Sequence, residues 1–282
     1  MKGGGVVSWS KIKDIIILIL LAVNLCLSFF TMNRQTQIDQ LQRQPRSEAI
    51  AFLKSRDIRI ADHIVPERMT LKSMQVTRNI QQEEKLARIL LGGTVIPEAR
   101  GGGVYRYFND QGSVQFHGNG EFSARFAYGV YQAQQDGIQE YSTYILEQME
   151  FSGQLIQSEK EGEDTVLTYR QFWEDIPLFN CQVQMNYTGN ALVAMTGGRR
   201  LTGVPEEINS TKQISVATAL MRFYNGVKEL GDACTRIEEI RQGYIVTSAI
   251  TEPIPMIPVW QVVTDTCTYQ LDTLTGQLSR VP

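Results

Sequence analysis

Histidine is nearly absent from this chain. Only His63 and His117 occur in 282 residues, the first in a loop near Pro66 and the second in a polar hairpin beside Gly118. Neither has a partner at metal or triad spacing, so the commonest general base and the commonest metal ligand are both missing as a cluster. Cysteine is scarce too. Of four cysteines, Cys26 lies in an apolar run, and Cys181, Cys234 and Cys267 are far apart with no C-x-x-C. That pattern excludes a closed disulfide framework and a zinc ribbon. Buried free thiols are the expected reading, and a Cys234–Cys267 bridge in an oxidising compartment is the alternative. Basic charge is not in excess: the net charge is −3 and the pI about 5.6, which removes the electrostatic footprint of a nucleic-acid binder.

Reaction motifs are missing as well. There is no G-x-S-x-G, no H-E-x-x-H and no calcium loop, and Gly101-Gly102-Gly103 lacks the Lys-Ser/Thr and the following helix that a phosphate cradle needs. The acidic groups Glu83-Glu84, Glu159 to Asp164 and Glu238-Glu239 read as solvated charge in turns and on strand edges. The expectation is a protein with no catalytic residues, no cofactor and no metal. A hydrolase would need a convergent polar pocket that the sequence does not announce.

Long hydrophobic runs are also rare, and the single exception organises the chain. Ile15 to Met32 carries only Asn24, Ser28 and Thr31 as polar interruptions and no charge. Its helical length of about 27 Å is close to the roughly 30 Å hydrocarbon core of a bilayer. The exit Leu27-Ser28-Phe29-Phe30-Thr31-Met32 lacks small residues at A-x-A positions, and Leu25 before Cys26 disfavours lipoprotein-type cleavage, so the run is expected to stay attached as an anchor. Lys2, Lys11 and Lys13 precede it and Trp9 suits an interfacial site, which places the N-terminus in the cytoplasm and the rest outside the cell membrane. Asn24, Ser28 and Thr31 fall at i, i+4 and i+7 and share one helical face, which fits either contact with a partner helix or a single span that tolerates one Asn and two small hydroxyls.

Beyond the anchor, about 250 residues are enough for one large or several small cores. The pattern predicts an α+β fold: one N-terminal transmembrane helix followed by repeated helix-on-antiparallel-sheet modules. Residues 1–14 form a cytoplasmic head, 15–32 the membrane helix and 33–46 a Gln-rich juxtamembrane stalk. Three α+β modules are expected at 47–132, 133–205 and 206–282. Predicted helices run Glu48 to Arg56 after a Ser47 cap, from Gln81 to the stop at Gly92-Gly93, Ile138 to Glu150, and Ser215 to Leu230 with Ser210 or Thr211 as cap. Between them lie alternating strands parted by Gly and Asn turns. Helix, hairpin, Pro-marked strand and hairpin recur after Ile138 and after Ser215, and Gln81 to Ala127 reads as a degenerate third copy. Strands are expected at Cys234 to Arg241 and Tyr244 to Ala249, with Gln242-Gly243 between them as a turn. Aromatics crowd two segments, Tyr105 to Tyr131 and Tyr169 to Phe179. Most are expected in the core and the rest on an exposed docking surface.

Ser8-Trp9-Ser10-Lys11-Ile12-Lys13, followed by an Ile/Leu span with Asn24-Leu25, resembles the opening of the YycI (WalI) family of Firmicutes. Pro258-Val259-Trp260-Gln261-Val262 and Asp272-Thr273-Leu274-Thr275-Gly276 resemble the endings of those proteins and of PepSY-like modules. The resemblance implies a membrane-anchored accessory regulator of a Gram-positive two-component system. With a YycH-like protein, it would bind a cell-wall sensor histidine kinase (YycG, or WalK) and modulate its signal transduction. The resemblance carries over no catalytic residue and implicates the membrane helix in kinase contact. Trp9, Lys11, Asn24, Ser28 and Thr31 are therefore the expected partner-binding residues, in a homo- or hetero-dimeric assembly. The competing expectation is an extracytoplasmic PepSY-like binding or peptidase-inhibitor module.

Overall fold

The computed structural model describes residues 18, 20–21, 23–25, 44–134, 137–196, 203–208, 213–247 and 252–281. Residues 44–55 are helical and are labelled α1. Three further α-helices follow among the described residues: α2 (Ile80–Leu91), α3 (Ile138–Gln148) and α4 (Val216–Glu229). Each is succeeded by four strands that pair antiparallel in chain order. After α2 come β2 (Ile96–Ala99), β3 (Tyr105–Asn109), β4 (Gly112–Phe116) and β5 (Phe122–Phe126). After α3 come β6 (Gly153–Glu161), β7 (Asp164–Trp173), β8 (Ile176–Thr188) and β9 (Ala191–Thr196). After α4 come β11 (Ile237–Val246), β12 (Ile254–Thr264), β13 (Thr268–Asp272) and β14 (Leu278–Arg280). Two short strands, β1 (Met74–Val76) and β10 (Glu206–Glu207), extend the sheet beside the start of β12.

Helices α2 and α4 form where the apolar period is 3.6 and a side-chain cap is at hand. The Asn79 side chain accepts from the Gln82 N–H at 3.0 Å, and α2 then buries Leu86, Ala87, Leu90 and Leu91 before Gly92 ends it at φ 67°. In α4 the cap is Ser215, whose Oγ accepts from the Thr218 N–H at 3.1 Å. The expected caps Ser210 and Thr211 lie outside the described residues. Ser47 is not a cap either. It sits within α1 and donates its hydroxyl to the Gln44 carbonyl at 2.8 Å.

Strand β5 pairs with β9 antiparallel, Ala124 opposite Met195 and Arg125 opposite Ala194. Because each is the fourth strand of its meander, the first two meanders fuse into one sheet in the order β2-β3-β4-β5-β9-β8-β7-β6, with α2 and α3 on the same face. One core fills the space between, from Leu90 and Ile145 to Tyr107, Val183 and Met185. Inside it the Ser142 and Tyr187 hydroxyls bond each other at 2.7 Å, so the buried oxygens stay satisfied.

The third meander carries two helices. Ala49, Ile50 and Leu53 of α1 join Leu220, Phe223 and Val227 of α4 over Trp260, Val262, Tyr269 and Leu271. The rings of Phe52 and Tyr224 meet edge-on, with centroids 5.3 Å apart. This meander meets the fused sheet where β11 runs parallel to β8 at Tyr244 and Leu178. A small apolar cluster containing Cys181, Tyr244, Val246 and Met256 packs at that junction.

One expected turn is absent. Gln242-Gly243 lies inside β11, which continues as a single strand from Ile237 to Val246. Gly243 is required for close approach: a Cβ there would stand 2.5 Å from the Phe179 ring and from the Pro177 carbonyl. The helix-then-strands order recurs as expected, but the internal correspondence shifts by one strand. Pro177 opens the third strand of its meander, whereas Pro255 and Pro258 lie in the second of theirs.

Among the described residues no helix is long and apolar enough to cross a membrane. Leu18, Leu20, Leu21, Val23, Asn24 and Leu25 are helical and exposed. The remainder of 15–32 lies outside the described residues.

Candidate functional site

Side chains alternate across a strand, so each meander has a helix-covered face and a bare one. Tyr169 on β7 points to the α3 core, which turns Arg170 to the bare face. Val262 on β12 points to α4, which turns Gln261 and Val263 the other way. Where the bare faces of the second and third meanders approach each other, they flank an open cleft of about 1040 Å³. One wall is β6 and β7, with Gln154 and Arg170. The other is β11 to β13, with Glu239, Arg241 and Gln261. Phe179 of β8 lies at the base, held against Gly243.

The two arginines differ. Arg241 is clamped by Glu239 through two hydrogen bonds, Nε to Oε1 at 2.5 Å and Nη2 to Oε2 at 2.6 Å. That hydrogen-bonded pairing raises its pKa against the opposing effect of burial. Arg170 makes no ion pair among the described residues. Its guanidinium carbon stands 5.7 Å from the Phe179 ring centroid, and its buried Nε–H finds no acceptor. Burial, then the like charge of Arg241, pushes its pKa below the ordinary arginine value. The side-chain amides of Gln154 and Gln261 also make no hydrogen bond among the described residues. Gln154 lies directly across the strand pair from Arg170.

Of the five expected partner-binding residues, Asn24 alone is among those described, on an exposed helical stretch. Trp9, Lys11, Ser28 and Thr31 lie outside them. The aromatic reading divides as follows: Tyr107, Phe116, Phe122, Phe126, Tyr169 and Phe179 are buried, whereas Tyr128 is exposed. His63 sits in a short 3-10 turn, and His117 lies 2.9 Å from the Gln115 amide. Among the described residues no group of three His, Cys, Asp or Glu side chains is placed to hold a metal. Cys234 and Cys267 are both free thiols, and burial, with Asp265 nearby, pushes the Cys234 pKa up to about 11. Arg170 and Arg241 were missed by sequence reasoning. The available signal was a long cation in the alternating segment Thr165 to Trp173, but its opposite wall is supplied by strands some 70 residues later, as the numbering shows.

The family described as YycI protein matches residues 37–273, from just before α1 to just past β13. The chain belongs to the YycI family. The match covers the cleft residues of this YycI-family chain on both walls, apart from Val281 at the rim. Solved structures are similar at the level of backbone trace. An uncharacterised protein from Eubacterium rectale is 14% identical with a TM-score of 0.47, over 75% of this chain and 86% of that one. The Bacillus megaterium YpeB C-terminal domain is 12% identical with a TM-score of 0.36, over 74% and 99%. YycH from Bacillus subtilis is 11% identical with a TM-score of 0.38, over 76% and 51%. No curated protein matches. YycI membership rests on the family match.

Proposed function

We propose that this YycI-family chain is a membrane-anchored accessory regulator of a two-component system. In this reading it binds a YycG/WalK-like sensor histidine kinase together with a YycH-like protein and acts by contact. The observation that carries the reading is the family match over residues 37–273. The charge-free run Ile15 to Met32 supports the anchor, and the i, i+4, i+7 face of Asn24, Ser28 and Thr31 supports packing on a partner helix.

Contact regulation requires unequal affinity for two kinase states, because a helix that packs equally on both shifts neither. Hydrogen bonds across membrane helices contribute about 1 kcal/mol each, so two or three polar contacts made in only one state bias the equilibrium by roughly tenfold or more. Replacing Asn24 and Ser28 with Leu in the full-length chain is expected to weaken co-purification with the kinase and change reporter output. Unchanged binding and signalling would remove the span from the mechanism. Regulation retained by residues 46–282 without the anchor would favour the extracytoplasmic binding module instead.

A further inference from the structure

We propose that the cleft between the bare faces of β6–β7 and β11–β13 binds an extended acidic peptide segment, with a peptide carboxylate seated on Arg170 and the main chain held by Gln154 and Gln261. The proposal goes beyond the regulatory reading, since binding is measured directly and does not require the span or the kinase.

Charge comes first. Arg170 is a partly buried cation with no acid partner among the described residues, an Nε–H with no acceptor, and a like charge on the facing wall. Such an arrangement is costly unless an anion completes it. A planar guanidinium presents paired donors that match a carboxylate, and its Phe179 contact holds the fork in place. Arg241 is already occupied by Glu239, so the free donor set is that of Arg170.

Size and lining choose between anions. About 1040 Å³ is far more than an inorganic ion fills and is at the upper end for ligand sites, roughly 300–1,000 Å³. The amides of Gln154 and Gln261 each offer both a donor and an acceptor, which is what successive peptide N–H and C=O groups require. Phe172, Phe179 and Val263 add apolar lining for intervening side chains.

The test uses full-length protein in detergent micelles and a fluorescein-labelled peptide of alternating Asp and Ala, read by anisotropy. Competitors are the same peptide with Asn for Asp and inorganic phosphate. Wild type is expected to bind the acidic peptide, and the Asn peptide to compete about tenfold or more weaker. Arg170→Gln is expected to weaken binding by a similar factor, while the remote exposed substitution Arg100→Gln changes nothing. Gln154→Glu guards against a misfolded Arg170 variant: it places a carboxylate across from Arg170, so it should abolish binding with the melting temperature kept or raised. No binding by wild type, equal binding of the Asn peptide, or undiminished binding by Arg170→Gln or Gln154→Glu would overturn the proposal. Displacement by phosphate at the peptide's own affinity would also overturn it, in favour of a small-anion site.

Discussion

Arg78 and Glu83 show how much a single buried pair carries. Their side chains are 7% and 2% exposed, and the guanidinium donates to both carboxylate oxygens at 2.7 and 2.8 Å. Its third donor reaches the Gly103 carbonyl at 2.6 Å, and the Tyr105 ring lies 5.3 Å away. Removing one partner leaves an uncompensated buried charge, so Glu83→Gln is expected to lower unfolding free energy by about 3–5 kcal/mol in urea titration. Glu239→Gln, whose pair is half exposed, should cost no more than about 1 kcal/mol. Tyrosines set the alkaline limit. Burial raises Tyr131, Tyr187 and Tyr244 from 10 to about 12. The folded state therefore holds their protons where the unfolded chain has released them. Their stabilising contribution is complete below pH 10 and is lost as pH rises through about 12. Melting temperature followed by circular dichroism should fall across that window, more steeply than in a Tyr131→Phe, Tyr244→Phe double variant.

Each helix was legible from its own residues because an amphipathic period and its stop signals are local. Leu86, Leu90 and Gly92 mark α2, and Val216, Leu220, Phe223 and Val227 mark α4. Caps were less legible. Several Ser and Thr residues precede α4, and only the backbone path selects Ser215, so Ser215→Ala is expected to cost about 1 kcal/mol in chemical denaturation. Gly243 was misread because glycine marks a turn and a tight strand approach equally well in sequence. The structure makes it an approach site: Gly243→Val should force β11 from β8 and destabilise the protein by about 1–3 kcal/mol or more, seen as a lower urea midpoint.

At the scale of the molecule, α1 belongs to the core of the last meander, far along the chain from it. Deleting residues 44–55 is expected to increase amide exchange in α4, β12 and β13, whose apolar face α1 covers, while α2 and α3 keep their protection. Equal exchange everywhere would mean that the two cores unfold as one. The sequence by itself determined the amphipathic helices, the recurrence of helix followed by strands, and the membership that the family match records. Those properties depend on neighbours within a few positions or on the identity of residues in order. Only the tertiary structure decided that β5 joins β9, that α1 lies on α4, and that Arg170 and Arg241 share a cleft. Apolar periodicity specifies a face to be buried without naming what covers it, and a strand's bare face gains meaning only from the element folded opposite.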